Sequence, residues 1–62
     1  MVEDKKHAYY FFSQGEIIEE VDADTDSEAL AELPKRGYRV KGFFDYYVRY
    51  NRTTQQMDLF RV

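Results

Sequence analysis

His7-Ala8-Tyr9-Tyr10-Phe11-Phe12-Ser13 and Glu16-Ile17-Ile18-Glu19-Glu20-Val21, joined by Gln14-Gly15, decide how this chain folds. The first stretch is rich in aromatic residues, which suit a pleated, half-buried strand. Gly15 supplies the positive φ that a two-residue hairpin turn needs, and the second stretch is the returning strand. Such a loop pairs Ser13 with Glu16. In that register Phe12, Tyr10 and Ala8 oppose Ile17, Glu19 and Val21 on one face. Phe11, Tyr9 and His7 oppose Ile18, Glu20 and Asp22 on the other.

Downstream, Thr25 and Glu28 have the spacing of a capping box, and Asp26 and Glu28 suit the positive end of a helix. Ala29, Leu30 and Leu33 form an apolar stripe. Pro34 and Gly37 then predict a short helix over roughly residues 26 to 33. Residues 38 to 50 alternate over thirteen positions. Tyr38, Val40, Gly42, Phe44, Tyr46, Val48 and Tyr50 fall on one side, and Arg39, Lys41, Phe43, Asp45, Tyr47 and Arg49 on the other. This predicts a long third strand, bent or bulged near Gly42. Asn51 to Thr54 reads as a turn and Gln55 to Val62 as a last strand.

The expected fold is therefore α+β, a single small domain ordered β-β-α-β-β. Short connections and a right-handed crossover give a four-stranded antiparallel sheet in the order 2-1-3-4, with one short helix on one face. Residues 1–5 read as a flexible tail and residues 6–62 as the domain. The expected core gathers Tyr10, Phe12, Ile17, Val21, Leu30, Leu33, Val40, Phe44, Tyr46 and Val48.

Composition narrows the function classes. Sixty-two residues allow one domain with a marginal core. There is no cysteine, which excludes disulfides, zinc–thiolate clusters and a thiol nucleophile and fits a cytoplasmic setting. The longest apolar run, Ala8 to Phe12, is far too short to span a bilayer, and no signal peptide is visible, so no membrane partner is expected. Leu, Ile, Val and Phe make up 15 of the 62 residues, enough to argue against disorder.

Catalytic and metal-binding patterns fail on inspection. Asp22-Ala23-Asp24-Thr25-Asp26 starts like a calcium loop, but Ser27 stands where the sharp-turn glycine belongs and Leu33 where the bidentate glutamate belongs. His7, the only histidine, has no orienting group that the sequence places beside it. No phosphate-binding glycine loop or nucleophile elbow occurs. The expectation is a protein that is not an enzyme and takes no cofactor or metal.

Charge is segregated along the chain. Residues 16 to 32 hold eight carboxylates and no Lys or Arg, whereas residues 33 to 62 hold seven Lys and Arg against Asp45 and Asp58. Either the two halves pair within the fold, or each steers a charged partner. Two partner readings follow. Arg39, Lys41, Phe43, Tyr47 and Arg49 share one side of the expected strand, and cations beside aromatic rings suit single-stranded nucleic acid. Alternatively, residues 16–32 imitate a row of phosphates.

The leading reading is a protein partner. The face away from the helix is expected to show Tyr9, Phe11 and Ile18 from the hairpin, with Phe43 and Tyr47 from the third strand. The nearby Arg39, Lys41 and Arg49 complete the candidate binding set. A patch of that kind marks contact with another protein or a homodimer.

The hairpin, followed by Ala23-x-Thr25-x-x-Glu28-Ala29-Leu30 and Gly37-Tyr38-x-Val40, resembles small phage-encoded inhibitors of bacterial RNA polymerase. The resemblance covers residues 5–40; the helix here is shorter and a C-terminal strand is added. It implies a small non-enzymatic protein that blocks or redirects a larger host machine, such as a nucleic-acid enzyme. No contacting position of that family is carried over.

Overall fold

The computed structural model describes residues 5–62. Residues 1–4 of the expected tail lie outside the described residues. Lys5, the last of that tail, is held, because its carbonyl accepts a hydrogen bond from Arg52 Nη1 at 2.9 Å. The elements are β1 (His7–Ser13), β2 (Glu16–Ala23), α1 (Asp26–Lys35), β3 (Tyr46–Asn51) and β4 (Met57–Arg61). They form one four-stranded sheet in the order β2-β1-β3-β4. Every neighbouring pair is antiparallel, and α1 lies on one face.

The first turn has the expected chemistry. Gln14 (φ 54°) and Gly15 (φ 81°) both take positive φ, as a two-residue type I′ turn requires, and Ser13 pairs with Glu16. Beyond the turn the expected register fails. Phe12 pairs with Ile17 but Phe11 pairs with Glu19, so Ile18 is an extra residue, a β-bulge. From there on every β2 residue meets the β1 face other than the one expected. Val21 meets Tyr9 and not Ala8, and Ala23 meets His7.

Helix α1 begins as the sequence indicates. Thr25 Oγ1 accepts from the Glu28 amide at 3.2 Å. The Glu28 carboxylate reaches back one residue further than a capping box, to the Asp24 amide at 3.0 Å. The helix ends later than expected, because Pro34 sits inside its last turn. Burial of Leu33, which is fully enclosed, holds helical conformation at the residue before the proline. A Schellman cap closes the end: the Tyr38 amide bonds the Leu33 carbonyl and the Gly37 amide bonds the Pro34 carbonyl, both at 3.0 Å, with Gly37 at φ 92°.

The long third strand is not formed. β3 starts only at Tyr46, and Val40–Phe43 makes a single tight turn. Lys41 (φ −77°, ψ 133°) and Gly42 (φ 93°, ψ −19°) have the dihedrals of a type II β-turn, which needs glycine at its third position. This turn breaks the phase of the alternation. Phe44, before the strand, and Tyr47, within it, both point into the core.

That core consists of Tyr9, Phe11, Val21, Ala23, Ala29, Leu33, Phe44 and Tyr47. Leu30, Tyr38, Val40, Phe60 and Val62 pack against it. Val21, Leu33 and Phe44 were expected there. Tyr10, Phe12, Ile17, Tyr46 and Val48 were also expected in the core, yet they lie on the uncovered side. The faces of β1 and β3 are inverted relative to the sequence reading, whereas β2 beyond its bulge keeps Val21 on the helix side.

Candidate protein-interaction face

The inversion has a polar cause. Tyr9 and Tyr47 are neighbours across β1 and β3, and their hydroxyls both donate to the carboxylate of Asp26, at 2.7 and 2.8 Å. Asp26 is the first residue of α1, where a negative charge complements the helix dipole. Arg49 adds a bond from Nη1 at 3.1 Å, lies 3.4 Å from Asp58, and covers the Phe60 ring at 4.7 Å. Buried tyrosines need a partner for the hydroxyl. The helix end supplies one only to the Tyr9 and Tyr47 face. Burial alone would raise the pKa of Asp26, but the three donors outweigh it and hold the carboxyl below its ordinary value. Burial and the bond to Asp26 push the Tyr47 phenol up to about 12, and Tyr9 is shifted in the same direction.

The expected binding set is therefore dispersed. Tyr9 and Phe11 are completely buried and Tyr47 nearly so, which corrects their placement on an open face. Ile18 is the bulge residue at the edge of β2. Phe43 is exposed but sits in the turn, edge-on to Phe44. Arg39 and Lys41 are exposed in the connection before β3, and Arg49 is committed to Asp26 and Asp58. Arg39, Lys41, Phe43, Tyr47 and Arg49 do not share one surface, because the strand expected to align them is interrupted at Gly42. Half of the acidic stretch is matched by cations from within: Arg36 pairs with Glu19 and Glu32, Arg49 with Asp26, and Arg52 with Asp22.

What the helix leaves bare is the other face. Strand register arranges it in three rows that run from β2 to β4. Asp22, Ala8, Tyr50 and Met57 form the first row, and Glu20, Tyr10, Val48 and Leu59 the second. Ile17, Phe12, Tyr46 and Arg61 form the third. Ile17, Met57 and Leu59 are more than half exposed, at 55%, 62% and 63%. Phe12 and Tyr46 stack with centroids 4.8 Å apart. Tyr10, Phe12, Ile17, Val48, Tyr50 and Met57 line an open apolar trough of about 360 Å³.

Among the described residues, the four strands place three charged side chains on this face, all at its margin: Glu20 and Asp22 on β2 and Arg61 on β4, with Arg52 reaching the Asp22 corner from beyond β3. Asp22 holds Arg52 at 2.7 Å, while among the described residues neither the Glu20 nor the Arg61 side chain makes an ion pair. The sequence carried one hint of this arrangement, the Ile17-Ile18 doublet that breaks alternation where the bulge forms. No described helix is long and apolar enough to cross a membrane. Compared with protein-family models, with curated proteins and with solved structures, the chain matches none.

Proposed function

We propose that this is a small non-enzymatic protein-binding domain, of the regulator or inhibitor kind, that acts through its open sheet face. The observation that carries the reading is the bare array of Tyr10, Phe12, Ile17, Tyr46, Val48, Tyr50, Met57 and Leu59 over four strands. Contiguous apolar surface of a few hundred Å² on a small protein marks contact. Covering about 300 Å² of it returns roughly 7 kcal/mol at 25 cal/mol/Å². That offsets the several kcal/mol that association costs and leaves a complex of modest affinity. Tyrosine, which occurs here three times, is among the residues enriched in binding hot spots. Protein is favoured over nucleic acid because, among the described residues, Arg61 is the only cation the strands place on the face, Arg52 at its corner being paired with Asp22, and phosphate attraction dominates nucleic-acid affinity.

The test is affinity capture with immobilised wild type, Val48→Arg and Leu59→Lys. Both variants should melt like wild type and lose the captured protein. Retention of every specific partner by a folded Val48→Arg variant would show that the contact surface lies elsewhere.

A further inference from the structure

We infer that the open face binds a second copy of this chain, two sheets packing across each other about a two-fold axis that runs from the Ile17 corner to the Met57 corner. The inference rests on the reading of this face as a contact surface.

The argument begins with the shape of the array. Four strands about 4.8 Å apart span roughly 14 Å, and the four residue steps between the outer rows, at about 3.4 Å each, span roughly the same. The array is close to square. Its corners are Ile17 and Asp22 on β2, and Arg61 and Met57 on β4. Asp22 and Arg61 are diagonal to each other, and so are Ile17 and Met57.

A two-fold axis lying in the interface can run along the strands, across them, or along either diagonal. Along the strands it sets Asp22 on Met57 of the second copy and Arg61 on Ile17. Across the strands it sets Asp22 on Ile17, Arg61 on Met57 and Glu20 on Glu20. Along the Asp22–Arg61 diagonal it sets like charge on like charge. Only the Ile17–Met57 diagonal brings Asp22 of each copy to Arg61 of the other, twice per dimer. The same axis brings Ile17 to Ile17 and Met57 to Met57, with the Tyr10 and Val48 pairs at the centre. An isologous interface needs this self-complementarity. The strands of the two sheets then cross near 90°, one of the two standard ways in which sheets pack.

Arg61 is available for this contact, and Asp22 keeps one carboxylate oxygen for it beside its pair with Arg52. Arg61 has no ion pair of its own among the described residues. Asp22 is exposed and gives only Oδ1 to Arg52. The molecule measures 31 × 23 × 17 Å, so the face offers an interface at the small end of the range, below about 1,200 Å² in total. The dimer should therefore be reversible and concentration-dependent.

Sedimentation equilibrium from micromolar to millimolar protein tests this. The wild-type mass should rise from one chain towards two, while Val48→Arg stays at one. Arg61→Glu and Asp22→Arg should each raise the dissociation constant at least tenfold, because each sets like charges together twice. An equimolar mixture of the Arg61→Glu chain and the Asp22→Arg chain should recover wild-type affinity, since both cross-pairs are then opposite in sign. Amide NMR spectra check that each variant is folded. Should Asp22→Arg not fold, Arg61→Glu alone decides. A wild type that stays monomeric overturns the inference, yet loss of capture by Val48→Arg would still uphold the face as a contact for another protein. A dimer indifferent to Val48→Arg, or to Arg61→Glu, overturns it as well.

Discussion

Asp26 ties four elements through one carboxylate. It begins α1, receives Tyr9 from β1 and Tyr47 and Arg49 from β3, and through Arg49 is linked to Asp58 on β4. The sequence showed an acid suited to a helix start. It could not show two tyrosines converging on it, because both strands carry aromatics on both faces. The pKa of Asp26 lies below its unfolded value. Its contribution to stability is therefore full above the ordinary carboxylate pKa of about 4 and is lost as pH falls through the lower folded value. Tyr47 is shifted the other way, to about 12. Its contribution is full below the unfolded pKa of about 10 and is lost as pH rises towards the folded value. Asp26→Asn should cost about 1–3 kcal/mol at neutral pH and flatten the acid limb of stability. Tyr47→Phe should flatten the alkaline limb. Thermal melts across pH for the three proteins check both; an unchanged acid limb in Asp26→Asn would remove Asp26 from this role.

At the scale of elements, the order of strands and the place of the helix were legible. Short connections, a capped helix start at Thr25 and turn residues at Gln14-Gly15 leave little choice of topology. Two local features were not legible. One residue, Ile18, inserted in β2 puts Val21 on the face of Tyr9 and Phe11 rather than that of Ala8 and Tyr10, and period-2 counting marks the extra residue only by the Ile17-Ile18 doublet. The turn at Val40–Phe43 lies inside a stretch whose alternation is unbroken on paper. Only the φ of 93° at Gly42 shows that this glycine closes a type II turn rather than bending a strand. A Cβ at Gly42 would meet nothing within 4 Å, so the cost of Gly42→Ala is conformational alone. It should be about 1–2 kcal/mol. Denaturant melts measure it, and a neutral or stabilising result would mean that the turn readily takes another form.

For the whole molecule, the two faces of the sheet differ sharply in what they contribute to stability. Phe11 is fully enclosed beneath α1, and its truncation to alanine should cost about 3–5 kcal/mol. A domain of this size has a total stability of roughly that amount, so the Phe11→Ala chain should be unfolded. Leu59→Ala, on the bare face, should change stability by no more than about 0.5 kcal/mol. Urea titration of the two variants decides which face is the interior; the opposite ranking would restore the sequence-based assignment. The two outer strands differ as well. β2 carries the Ile18 bulge and is lined by Glu16, Glu19, Glu20 and Asp22. The Glu20 carbonyl is already taken by Arg36 Nη1 at 3.0 Å. β4 has no bulge in its register and no proline. Fibril growth by strand addition requires every copy to accept a neighbour at both edges. The bulge, the acids and the Arg36 bond all blunt the β2 edge, so strand addition is expected at β4 and not at both edges, which disfavours polymerisation through the sheet.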